Sequence, residues 1–216
     1  MYIVTQVIRL QTEDRCYIGD GNGYRLKLQQ DLNGSNVTFV GSVRGQGSMT
    51  NDDNEGHPGA TISEIAQFAQ NSLFQRPNIV LLHAGTNDMN QSPPKSPYKS
   101  APERLGALID EVVAACPDAA ILVAKVIHAS DPGVNARIST FNSQIPSVVG
   151  QRANAGHHVG VVDFTSITSN DLQDGLHPSD EGYIKMGDIW FAAIKDVAKK
   201  GWIKSPVAPA PSSSRK

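Results

Sequence analysis

Serine is missing from the first 24 residues of this 216-residue chain, although it recurs throughout the rest. Cysteine is scarce as well, with only Cys16 and Cys116, which form no metal-type cluster. The two can bridge only where a fold brings their α-carbons within about 7 Å, and a secreted disulfide framework normally carries more cysteines at closer spacing. Both therefore read as free thiols. No stretch approaches the roughly 18 apolar residues needed to span a bilayer, so no membrane partner is expected. The opening M-Y-I-V-T-Q-V-I-R-L-Q-T-E-D-R has no basic start and no clean apolar core, and so is not a secretion signal as written. Neither sign of charge is in excess: 19 Lys and Arg stand against 21 Asp and Glu, a net of -2. Such a surface has no broad attraction for a polyanion, which argues against nucleic acid. G-S-V-R-G-Q-G lacks the closing Lys-Ser/Thr of a phosphate loop, and no cofactor is implied.

What is present suits one ordinary core. An apolar content of 39% over this length needs no metal or disulfide staple, so residues 1–204 read as a single domain. Residues 205–216, S-P-V-A-P-A-P-S-S-S-R-K, offer little to bury and read as a flexible tail. Short β-rich runs at 37–40, 79–83, 120–127 and 158–164 do not alternate strictly, which fits parallel strands covered on both faces. Helical periods fill 24–32, 61–73, 102–115, 135–153 and 180–200. In the last of these Tyr183, Ile184, Gly187, Trp190, Phe191, Ile194 and Val197 form a broad apolar stripe. Ser179 or Asp180 can cap that helix, and Pro117 stops the helix that ends near Cys116. The pattern predicts a three-layer α/β/α fold around a flavodoxin-like parallel sheet. Its first strand is atypical or incomplete, with Ile3, Val4, Val7, Ile8 and Leu10 as the residues able to fill that place.

In parallel sheets ligands gather beyond the carboxyl ends of the strands. Three polar clusters fall there: 51–61, 85–88 and 171–178. They contain N-E-G-H-P-G-A-T-I (54–62), L-L-H-A-G-T-N-D (81–88) and D-G-L-H-P-S-D-E-G-Y (174–183). With D-G-N-G-Y-R-L-K-L (20–28) and N-V-T-F-V-G-S (36–42), this ordered set resembles the SGNH, or GDSL-type, hydrolases, and among them the carbohydrate esterases of family 3, which include acetyl xylan esterases.

The resemblance implies an SGNH hydrolase fold and a small acylated substrate, chiefly an acetyl ester of a carbohydrate. It also implies roles at matching positions: His177 as general base, Asp174 as its orienting carboxylate, and Gly59 with Asn87 as oxyanion-hole donors. Relatives of this kind are commonly secreted. The residue types suit those roles, since a glycine lets backbone approach a substrate and an amide donates without charge. Each element also has a plainer reading. D-G-L-H-P can be a capped turn, Asn87 a bridge between loop backbone groups, and Gly59 a turn glycine.

The nucleophile departs from the pattern. The family closes its first strand with G-D-S, whereas this chain has G-D-G at Gly19, Asp20 and Gly21. A second registration makes D-G-N-G-Y-R the segment that opens the first helix, which leaves the G-D-S stretch absent. Cys16, Thr5 and Thr12 are the other hydroxyl or thiol groups nearby, and a water activated by His177 is a further alternative. Two explanations stand open. The sequence starts at an incorrect exon with G-D-S upstream, or the chain is a relative that has lost hydrolysis and keeps a binding cleft. His57 and His83, near Asp52, Asp53 and Glu55, are the remaining metal-type residues, but they lack paired-ligand spacing. Oligomeric state is not legible.

Overall fold

The structure, a computed structural model, describes residues 4–11, 21–90 and 97–209. Strand β1 (Val4–Gln11) occupies the centre of the sheet. It is followed by α1 (Tyr24–Asp31), β2 (Asn36–Val40), β3 (Val43–Arg44) and β4 (Asp53–Gly56). Then come α2 (Ile62–Ala69), β5 (Ile79–His83), α3 (Thr86–Asn90), α4 (Ala101–Ala115) and β6 (Ala120–Ala124). The chain closes with α5 (Pro132–Asn154), β7 (Val159–Val162) and α6 (Asp180–Lys199).

On one edge β1 pairs with β5 from Val7↔Ile79 to Gln11↔His83. On the other it pairs first with β2, from Val4↔Asn36 to Ile8↔Val40, and then with β4, at Leu10↔Glu55 and Gln11↔Gly56. Strands β6 and β7 continue beyond β5, all parallel, and only the short β3–β4 pair is antiparallel. Taking β2 and β4 as one position, the sheet runs in the doubly wound order 2-1-3-4-5. Val4, Val7, Ile8 and Leu10 fill the first strand while Ile3 lies outside the described residues, and the expected three-layer fold stands.

Alternation along the middle strands divides the core. Val80 and Leu82 of β5, with Ile121 and Val123 of β6, pack under α2, α4 and α5. Ile79, Leu81, Ala120 and Leu122 pack under α1 and α6. Both faces are buried, which is why these strands read as continuous apolar runs. The stripe predicted on α6 is inside at Tyr183, Trp190, Ile194 and Val197, while Ile184 is exposed. Trp190 lies edge-on to Phe164 at 5.2 Å and tilted to Tyr24 at 5.9 Å.

The helix expected over 61–73 ends at Ala69 and the strand expected over 158–164 spans Val159–Val162, and three further differences have a visible local cause. The run at 120–127 leaves the sheet at Ala124, because the Asn142 side chain takes both backbone groups of Val126, accepting its N–H at 2.8 Å and donating to its carbonyl at 2.7 Å. The helix expected from 135 starts at Pro132, where the Asp131 carboxylate caps Val134 N–H at 2.7 Å and proline occupies the first turn. The segment D-N-E-G is a strand although every side chain in it is polar or absent, since its buried groups are hydrogen-bonded internally. Asn54 donates to the carbonyls of Asp52 and Val43 and accepts from Gly56 N–H.

Candidate active site

Strands β4, β1, β5 and β6 end on the same side of the sheet, and the described loops after β4, β5 and β6 gather there. After β4 the chain makes the turn His57-Pro58-Gly59-Ala60, closed by Ala60 N–H donating to the His57 carbonyl at 3.2 Å. Proline at the second position and Gly59 at the third with φ of 76° are the signature of a type II turn. A Cβ on Gly59 would meet nothing within 4 Å, so backbone conformation rather than crowding calls for glycine there. The turn feeds α2 through a complete capping box. Thr61 Oγ1 accepts from Glu64 N–H, and Glu64 Oε2 accepts from Thr61 N–H at 2.8 Å.

After β5, Gly85 bends the chain with φ of 126° into α3. A Cβ at Gly85 would stand 2.6 Å from the Phe141 ring, so the loop sits hard on α5. Asn87 on α3 donates from Nδ2 to the Ala60 carbonyl at 3.0 Å, one residue beyond Gly59. This bond ties the Asn87 side chain to the residue that follows Gly59. Its neighbour Asp88, fully buried, accepts from Ile62 N–H at 2.9 Å and from Arg104 Nη2 at 2.7 Å. Asp88 thereby fastens the Asn87 loop to the first turn of α2. Asp88 closes the G-T-N-D stretch, and nothing in the sequence marks it for this role.

The other two predicted residues lie in the loop before α6. Asp174 Oδ2 meets His177 Nδ1 at 2.7 Å, while its Oδ1 accepts the backbone N–H groups of His177 and Leu176 at 2.8 and 3.1 Å. The carboxylate thus fixes both the imidazole and the turn carrying it, with Gly175 between them at φ of 82°. The His177 side chain is 17% exposed and that of Asp174 45%. Burial pushes the Asp174 carboxyl up, yet the hydrogen bonds from His177 and Leu176 outweigh it and hold the group below its ordinary value. With Nδ1 engaged, Nε2 is the imidazole position left for chemistry.

A closed loop supports this pair. Gln173 N–H donates to the His177 carbonyl at 2.8 Å, and Ser179 N–H to the Asp171 carbonyl at 2.7 Å. Buried Asp171 accepts from Thr168 N–H at 2.7 Å and from Lys185 Nζ at 2.6 Å. Those contacts, Lys185 foremost, lower its carboxyl to about 2. Ser179 caps α6 through Gly182 N–H, as the sequence suggested. Toward the sheet, Ser130 N–H after β6 donates to the Gly175 carbonyl at 2.7 Å, and Leu176 packs on the core beneath α2, α4 and α5. The same core holds Ala60, Ala84 and Met89 from the other two loops.

His57 and His83 do different work. Glu55, wholly buried, accepts from Ser42 N–H at 2.6 Å and from Ser72 Oγ, and meets His57 Nε2 at 2.8 Å. Burial opposes its charge most strongly, but these partners win and lower its carboxyl. The His57 ring stacks on Phe68 at 3.9 Å. Glu55 is therefore an internal clamp, whereas Asp53 two residues before it pairs with the exposed Arg44 at 3.1 Å. His83 is buried edge-on to Phe164, and His158 stacks on Trp202. Among the described residues no group of three or more His, Cys, Asp or Glu is arranged to hold a metal ion, and no helix is long and apolar enough to cross a membrane.

Strand β1 ends at this same side of the sheet, with Gln11 paired to Gly56 of β4 and to His83 of β5. Thr12, Cys16, Gly19 and Asp20 lie outside the described residues, and with Cys16 goes any pairing to Cys116. Gly21 is described. Its φ of 75° and its closeness to the Gln46–Gly47 backbone place it in the turn before α1, which opens at Tyr24 after Gly23. That arrangement agrees with D-G-N-G-Y-R as a helix-opening segment.

Comparison with known proteins follows the same lines. The model of the GDSL-like lipase/acylhydrolase family matches residues 19–184. The solved family 3 carbohydrate esterase of Clostridium thermocellum is 31% identical, with a TM-score of 0.74 over 91% of this chain and 98% of that one. An acetyl esterase variant, in which serine is replaced by alanine and which was solved with an acetate ion, is 25% identical at a TM-score of 0.72, covering 93% and 100%. A multidomain esterase of Ruminococcus flavefaciens is 27% identical over 215 residues, 84% of this chain and 27% of that protein. The chain spans 60% and 27% of the lengths of two curated relatives it matches. Its fold, its ordered motifs and this match across most of its length make the chain a member of the GDSL-like lipase/acylhydrolase family, resembling within it the family 3 carbohydrate esterases.

Proposed function

We propose that this chain carries the acid–base and oxyanion parts of an ester-hydrolysing site for small O-acyl groups, chiefly acetyl, on carbohydrates. The observation that carries the reading is the Asp174–His177 contact of 2.7 Å, held in a closed loop above the ends of the parallel strands. In this reading Asp174 fixes the tautomer, His177 Nε2 receives the proton of the attacking hydroxyl and returns it to the leaving alcohol, and the acyl carbon passes through a tetrahedral oxyanion. The Gly59 N–H and the Asn87 amide hold that oxyanion, and losing one such donor costs roughly 2.7–4 kcal/mol of transition-state stabilisation. The relatives named as carbohydrate and acetyl esterases support the substrate class.

The absence of serine before Tyr24 favours a second reading, a binding protein on the same fold that holds acylated carbohydrate without turning it over. Both readings place weak or no serine-type hydrolysis in the chain as written. Acetate release from an acetylated xylo-oligosaccharide, followed for the parent chain, His177→Ala and Asp174→Asn, separates them. The ester reading requires whatever rate exceeds the buffer blank to fall at least tenfold in His177→Ala. The binding reading requires saturable binding with no release. A rate above the blank that ignores both substitutions refutes the roles assigned to this pair.

A further inference from the structure

A recess of about 440 Å³ opens beside the Asn87 loop, between α3, the start of α4 and the first half of α5, and no role assigned above uses it. It is lined by Met89, Tyr98, Lys99, Arg137, Thr140 and Gln144 among others. Met89 lies two residues after Asn87 on the same short helix, so the recess borders the proposed ester site.

Its chemistry is specific. Tyr98 is 36% exposed and lines the recess. Arg137 lies over that ring at 5.9 Å, and its Nε donates to the Met89 carbonyl at 2.7 Å, which locks the side chain and leaves the two terminal guanidinium nitrogens for a ligand. Lys99 adds a second cation, and among the described residues no carboxylate lines the recess. Neither cation has an ion-pair partner among the described residues. A volume of this size admits one sugar ring. An aromatic face suits the apolar C–H face of a pyranose, and a guanidinium fork with a neighbouring ammonium suits a planar carboxylate. Thr140 and Gln144 supply neutral hydrogen-bonding groups for ring hydroxyls. Past Pro102 and Gln144 the surface continues into a second recess of about 500 Å³ along α4 and α5, where the next unit of a chain-like ligand can lie.

We propose that the Tyr98–Arg137 recess is a subsite for a sugar residue bearing a carboxylate, a uronic acid, carried on the acylated carbohydrate. That it serves the substrate rests on the ester-site reading, whereas the binding itself does not. The test is a calorimetric or NMR titration of the full chain with methyl β-D-glucuronide, beside methyl β-D-glucoside and acetate as the neutral-sugar and simple-anion arms. The glucuronide binds at millimolar strength, and Arg137→Gln and Tyr98→Ala each weaken it at least tenfold, with thermal melts confirming that both variants fold. The glucoside and acetate bind at least tenfold more weakly than the glucuronide. No binding of the glucuronide, equal binding of either control, or binding indifferent to both substitutions overturns the proposal. Because the titration needs no turnover, its failure is separate from failure of the hydrolysis assay.

Discussion

Replacing Asp88 by alanine tests whether the site loops are held by one buried ion rather than by packing alone. The carboxylate is fully buried and makes two charge-assisted bonds, to Arg104 Nη2 at 2.7 Å and to Ile62 N–H at 2.9 Å. Truncating one partner of a buried pair costs about 3–5 kcal/mol, because the remaining charge keeps its desolvation penalty. Arg104 here is 17% exposed and keeps two acceptors, Ser100 Oγ and the Pro97 carbonyl, which places the cost at the lower end. For a domain of this size each kcal/mol lowers Tm by about 2–4 °C, so a loss of about 3 kcal/mol moves the midpoint by about 6–12 °C. Asp88→Asn retains an oxygen for Ile62 N–H and loses less. The assay is thermal unfolding by circular dichroism, with urea unfolding as the check on reversibility. Asp88→Ala, Arg104→Ala and the double variant form a cycle whose coupling exceeds about 1 kcal/mol if the pair acts as described. A midpoint within about 2 °C of the parent, or strictly additive single losses, refutes the reasoning.

Two further outcomes follow from buried groups. Burial pushes the Cys116 thiol up to about 11 against the opposing pull of Arg76, and its sulfur faces the Leu73 carbonyl. Iodoacetamide at pH 8 therefore leaves Cys116 unmodified in the native chain and alkylates it in urea, read by peptide mass spectrometry. Labelling of native Cys116 at the rate of an exposed thiol contradicts this. For Asp171 the folded-state carboxyl lies at about 2 against an ordinary 3.8, so its contribution is fully present above about pH 4 and fades as the pH falls through 2. Urea unfolding from pH 6 to pH 2 should show Asp171→Asn less stable than the parent at the upper end, with the gap closing toward the acid end. A gap constant across that range argues against the assignment.

The parts of the fold that were legible in sequence are those where one physical signal dominated. I-V-L-L-H emerges as β5 residue for residue, because a strand buried on both faces must be apolar throughout. The D-G-L-H stretch sets the spacing of Asp174 and His177, and a turn with Gly175 between them delivers their contact. Where side chains stand in for backbone partners the signal disappears. Asn142 ends β6 early from 16 residues away, and Asn54 and Glu55 build a strand from polar residues by satisfying each other's surroundings. Nothing local marks such pairings. Asp88 and Asp171 stood inside motifs already noticed, and only their burial reveals that they hold the loops rather than meet solvent.

The proposed ester site has no serine of its own in the first 24 residues. Incubation of the purified chain with a serine-directed fluorophosphonate, read by intact mass and peptide mapping alongside aryl acetate turnover, addresses it most directly. The account predicts no covalent adduct and turnover that is weak or absent. A stoichiometric serine adduct, together with turnover abolished by both the phosphonate and His177→Ala, would contradict it.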